Sequence, residues 1–101
     1  MGQSEFNTVG YQSLTVDATS GGVALTVPTG GRSYVGILQD GQIRFRTDGT
    51  APTTTEGKLV VIGQEIRLSE SQMATARFLR TTGTSGTLKG EFFDIPITQV
   101  P

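Results

Sequence analysis

The chain has no cysteine, no histidine and no tryptophan. Without cysteine it forms no disulfide and offers no thiolate to attack a substrate or hold zinc. Without histidine it lacks the commonest general base and the commonest metal ligand. Serine–histidine and cysteine–histidine pairs are excluded outright. Charge is scarce and balanced, with eight basic and nine acidic residues and a net charge of −1. A general nucleic-acid binder carries a basic excess, so that class is set aside. No apolar run approaches the ~20 residues of a membrane-crossing helix. Residues 1–5 have neither the basic start nor the apolar core of a secretory signal. No membrane partner is expected.

The apolar fraction is also small, 35%, below that of an ordinary globular domain. Sixteen threonines and fourteen glycines make up the difference. Threonine is β-branched and suits a pleated surface that is wet on one side. The composition therefore predicts a thin all-β sandwich whose remaining apolar surface is covered by other chains. A length of 101 residues allows one domain with a single core.

The most informative segment is Ile43-Arg44-Phe45-Arg46-Thr47-Asp48-Gly49. Apolar and charged residues alternate, then stop at a turn dipeptide. A period of two means a strand with one buried and one wet face. The same pattern recurs along the chain and predicts about eight short strands, over 9–17, 23–27, 34–39, 43–47, 58–62, 65–69, 75–81 and 87–95. Asp40-Gly41 and Gly63-Gln64 read as hairpin turns. Short strands at this spacing imply a sandwich or a barrel. The expected core is Leu14, Val16, Leu25, Val27, Val35, Ile37, Ile43, Phe45, Leu59, Val61, Ile66, Leu68, Ala76, Phe78, Leu88 and Phe92. Residues 69–74 can form a helical turn capped by Ser71, too short to stand alone. The chain divides into an N-terminal arm (1–8), a sandwich (9–95) and an extended, proline-bearing tail (96–101).

Residues able to do chemistry are few. Asp40 and Asp48 sit in turns, where aspartate is expected for backbone reasons. The carboxylates show neither the facing pair of a glycosidase nor the spacing of a calcium loop. The Gly-rich stretches at 21–22, 30–31 and 83–86 lack the Walker spacing and open no helix. They read as turns. No enzyme activity, metal or cofactor is expected. The arginines are more telling. Arg44, Arg46, Arg67 and Arg77 all alternate with apolar residues and face away from the core. Arginine's planar fork suits paired contacts at an interface, although a solvated face is the plainer alternative. Phe92 and Phe93 must point to opposite faces of their strand, which puts one outside the core. Ile95, Ile97 and Val100 give the tail apolar contacts for a groove on another chain. The candidate protein-interface set is thus Arg44, Arg46, Arg67, Arg77, Phe93, Ile95, Ile97 and Val100.

The run Arg44-Phe45-Arg46-Thr47-Asp48-Gly49-Thr50-Ala51-Pro52-Thr53, then Gly57, Leu59 and Gly63, then Ala76-Arg77-Phe78 and a Gly-rich turn into residues 88–93, resembles small virion proteins of tailed bacteriophages. The resemblance covers residues 34–93. It implies a jelly-roll-like sandwich and a place in the virion, assembled in the host cytoplasm. Some members look like capsid cement or decoration proteins, which bind the major capsid protein as homotrimers on the outside of the head. Others belong to the tail or baseplate or recognise a host surface, the first alternative. A small carbohydrate-binding module is the second. That one needs an aromatic platform, for which two tyrosines and no tryptophan are a thin supply.

Overall fold

A computed structural model of the chain describes residues 7–99. The alternating segments form seven strands: β1 (Thr8–Val16), β2 (Ser33–Asp40), β3 (Ile43–Arg46), β4 (Lys58–Val60), β5 (Glu65–Ser69), β6 (Arg77–Arg80) and β7 (Gly86–Phe93). A helix α1 (Glu70–Thr75) and a 3-10 turn (Ile97–Gln99) complete the elements. The strands make two antiparallel sheets, ordered β1-β7-β2-β5 and β4-β3-β6. The chain is an all-β sandwich.

The expected strand over 23–27 is corrected to a single bridge. Val23 and Phe78 exchange main-chain hydrogen bonds of 2.8 and 2.9 Å. Gly21 and Gly22, both at positive φ, bend the chain into this bridge, and Pro28 follows it, without a ladder donor. With this segment counted as the second of eight, the sheets read 1-8-3-6 and 2-7-4-5. That order is the pair of interleaved Greek keys of a jelly roll.

The two expected hairpins are corrected as well. Asp40-Gly41 joins β2 of the larger sheet to β3 of the smaller, and Gly63-Gln64 joins β4 of the smaller to β5 of the larger. Residues 81–85 make a third crossing, from β6 to β7. Turn residues reverse the chain, but they do not decide which sheet receives the next strand. At Gly41 (φ 70°) a Cβ would lie 2.8 Å from the Ser85 carbonyl oxygen, so two crossings pack on each other there and only glycine fits.

One apolar cluster lies between the sheets and contains Leu14, Val16, Leu25, Ile43, Phe45, Ile66, Leu68, Ala76, Phe78, Leu88 and Phe92, as expected. Two strands face the other way from expectation. In β2, Tyr34 and Leu38 are fully buried, Val35 is half-buried and Ile37 is 41% exposed. In the β4 region Val60 is buried, whereas Leu59 and Val61 are 42% and 45% exposed. Val27 is exposed too. Both runs are apolar on both faces, so a period of two cannot choose between them. Shape chooses in β2. Gly36 and Gly90 are cross-strand partners, and the Tyr34 ring lies over both. A Cβ on Gly36 would be 2.6 Å from the Tyr34 hydroxyl, and one on Gly90 would be 2.5 Å from it. The ring closes against Phe92 at 4.9 Å between centroids.

Helix α1 takes the place of the helical turn expected over 69–74, but Ser69 rather than Ser71 is its cap. The Gln72 amide donates to Ser69 Oγ (3.3 Å) and the Ser69 amide donates to Gln72 Oε1 (2.8 Å), a capping box. Met73 anchors its one buried face.

Candidate binding surface

Alternation turned Arg44, Arg46, Arg67 and Arg77 away from the core, and the structure brings three of them, Arg44, Arg46 and Arg77, together on the smaller sheet. Arg46 and Arg77 are register partners across β3 and β6. Arg67 lies on the other sheet. Each arginine also has work inside its own chain. Arg44 donates from Nε to the Thr54 carbonyl (3.1 Å) and from Nη1 to the Gly57 carbonyl (2.8 Å), which props the loop 47–57 against β3. Arg46 grips Asp48 with two hydrogen bonds, the Nε one at 3.1 Å. Arg77 donates to the Ala76 carbonyl (3.0 Å). Arg67 pairs with Glu65 at 2.7 Å.

The expected tail residues pack on their own domain. Phe93 is half-buried opposite Ser33. Ile95, Pro96 and Ile97 are half-buried. Pro96, Ile97 and Thr98 line a cleft with Ser69, Glu70, Ser71 and Ala74 of the α1 corner. Where an extended segment was expected, Ile97–Gln99 turn as a 3-10 helix. Val100 and most of the N-terminal arm lie outside the described residues.

The aspartates serve the turns. Asp17 accepts hydrogen bonds from the Thr19 hydroxyl and amide, which hold its carboxyl below the usual range. Asp48 is held low by Arg46 and by the Thr50 amide. Asp94 is held low by the Asn7 amide, 2.9 Å away, and so closes the start of β1 onto the end of β7. No group of three or more His, Cys, Asp or Glu that could hold a metal ion occurs among the described residues.

One surface escaped the sequence reading. Three of the crossings between the sheets converge at one end of the sandwich. There Asp40, Gly41 and Gln42 of the first, Val61 and Ile62 before the second, and Thr82, Thr84 and Ser85 of the third line a shallow, open depression of about 810 Å³. Ile62 is 63% exposed. Apolar side chains with a hydroxyl- and amide-bearing rim are the anatomy of a protein-binding patch. Val61 was assigned to the core and Ile62 to the end of a strand, so the exposed pair had no signal of its own. Comparison of the chain with protein-family models, with curated proteins and with solved structures finds no match.

Proposed function

We propose that the protein is a structural component of a tailed-phage particle, a cement or decoration protein that binds the assembled capsid shell. The observation that carries this reading is the end where the three crossings meet. It offers an exposed apolar pair, Val61 and Ile62, inside an almost uncharged polar rim. Such a patch loses little by desolvation when it docks, because it buries few charges. The two-Greek-key strand order agrees with the jelly roll implied by the resemblance of residues 34–93. The partner is the major capsid protein, and the mechanism is linkage. A protein that binds the closed shell and not its free subunits shifts the equilibrium toward the shell.

Particles lacking the protein should release DNA at a lower temperature than complete ones and recover when purified protein is added back. The Ile62→Asp variant should fold normally and fail to restore them. Equal release temperatures with and without the protein would defeat the cement reading. A copy number of hundreds per particle agrees with a head location, whereas a dozen or fewer would favour the tail alternative.

A further inference from the structure

The outer face of the larger sheet carries a pattern independent of the particle reading. Outward residues of β7, β2 and β5 fall into two rows. One row is Glu91, Val35 and Arg67, and the next is Lys89, Ile37 and Glu65. The four charged residues are exposed. They form a checkerboard around a central apolar stripe, acid and base alternating both along each strand and across β2.

This checkerboard matches itself. Suppose a second copy lies face to face over the first, related by a two-fold axis in the plane of contact. If the axis runs along β2, Glu91 meets the Arg67 position of the other copy and Lys89 meets its Glu65. If the axis runs across β2, Glu91 meets Lys89 and Arg67 meets Glu65. Under either axis every acid lies over a base, and Val35 and Ile37 bury each other. A trimer instead joins unlike surfaces around a ring. We propose that this face is a self-complementary docking surface whose occupant is a second copy of the chain.

The expected strength follows from area and charge. The three strands that carry the pattern, spaced ~4.8 Å apart, give a face of roughly 15 by 20 Å. Two such faces bury about 600 Å², a little over a third of a standard stable interface. The dimer is therefore weak, with association at about 10 µM to 1 mM. Exposed ion pairs add little energy, but they fix register and reject the wrong arrangement. Aligned sheets pack with strands about 30° apart, which a two-fold axis near β2 provides.

Sedimentation equilibrium on the full chain across about 10 µM to 1 mM tests the proposal. The mass should rise from 10.7 kDa toward twice that value. Ile37→Asp and Lys89→Glu should each weaken association at least tenfold, since every substitution occurs twice in a two-fold dimer. Their unchanged circular dichroism and melting temperature would show that the fold is intact. Compensating swaps then report the axis. Lys89→Glu with Glu65→Lys restores the dimer only if the axis runs along β2. Lys89→Glu with Glu91→Lys restores it only if the axis runs across. A monomer throughout the range overturns the proposal. So does association, trimeric or otherwise, that ignores Ile37→Asp and Lys89→Glu, and so does rescue by neither swap.

Discussion

The two sheets of this sandwich hold together by different means. In the larger sheet, β1 and β2 each pair with β7 along almost their whole length. Backbone ladders and one aromatic ring seated over two glycines do most of the holding. In the smaller sheet, β3, β4 and β6 are three or four residues long. Such strands make few ladder bonds, and side chains tie their surroundings down instead. Arg44 props the loop 47–57, the Thr75 hydroxyl donates to the Thr47 carbonyl, and the Thr81 hydroxyl donates to the Gln42 carbonyl (3.1 Å). Long strands need shape at the core, whereas short strands need polar ties at their ends.

The largest expected effect tests the first half of that contrast. A Cβ at Gly90 would lie 2.4 Å from the Val35 carbonyl oxygen and 2.5 Å from the Tyr34 ring. The first of these is backbone and cannot swing away. Gly90→Ala should cost more than about 3 kcal/mol, at or beyond the top of the usual range for overpacking, and lower the melting temperature by more than about 12 °C. Gly83→Ala meets nothing within 4 Å and should stay within ~0.5 kcal/mol of the parent. Similar melting temperatures for the two variants would show that the larger sheet does not depend on the glycine slot.

The second half predicts a smaller, local loss. Arg44→Ala removes two charge-assisted hydrogen bonds to main-chain carbonyls and should cost about 1–2 kcal/mol. Hydrogen exchange should quicken in 47–57 and leave β7 unchanged. Arg44→Lys should recover little, because one ammonium lacks the fork that reaches both carbonyls. Uniform acceleration over the whole chain would mean that the smaller sheet is not separately tied.

This division also explains what was legible in the sequence. The β class and the inward set of β3, β5, β6 and β7 followed from alternation, since their outward positions are mostly charged or polar. In β2 and near β4 both faces are apolar, so the inward choice rested on contacts between residues distant in sequence. The Gly36–Gly90 pair made that choice for Tyr34. Asp40-Gly41 and Gly63-Gln64 announced turns correctly, but nothing local says whether a turn folds a hairpin or crosses between sheets. The depression where the crossings meet was invisible for that reason. The outward direction of the arginines was readable. Their ties to Thr54, Gly57 and Asp48 depend on a loop conformation that no periodicity describes.

Acid sharpens the comparison, with modest effects. Asp94 closes an end of the larger sheet, and Asp48 holds the loop of the smaller. Both carboxyls are held below their ordinary value of 3.8, the first chiefly by the Asn7 amide and the second chiefly by Arg46. A folded-state pKa below the unfolded one stabilises the fold above about pH 4 and stops doing so as pH falls through the folded value. The melting temperature should therefore be level from about pH 7 to 5 and fall below about pH 4. Asp94→Asn should lower the plateau slightly and shallow the acid slope. Asp48→Asn should do the same while loosening only 47–57 by hydrogen exchange. An acid slope untouched in both variants would place the acid sensitivity in other carboxylates.

The smallest expected change concerns the ring at the centre of the larger sheet. Tyr34 is fully buried, and its hydroxyl has no partner among the described residues. Its role there is shape, and a phenylalanine ring supplies the same shape over Gly36 and Gly90. A buried hydroxyl without a partner costs free energy. Tyr34→Phe should therefore leave stability unchanged or raise it by up to ~1 kcal/mol, read as a higher urea midpoint at constant slope. Alkali gives a second readout. Burial pushes the phenol up from its ordinary value of 10.0, so folding favours the protonated form. That contribution is complete below about pH 10 and is lost as pH rises above it. The parent protein should lose stability above about pH 10 more steeply than Tyr34→Phe. A loss of more than about 1 kcal/mol at neutral pH would show that the hydroxyl is hydrogen-bonded. The larger sheet would then rest on a polar tie as well, and the contrast between the two sheets would fail at its centre.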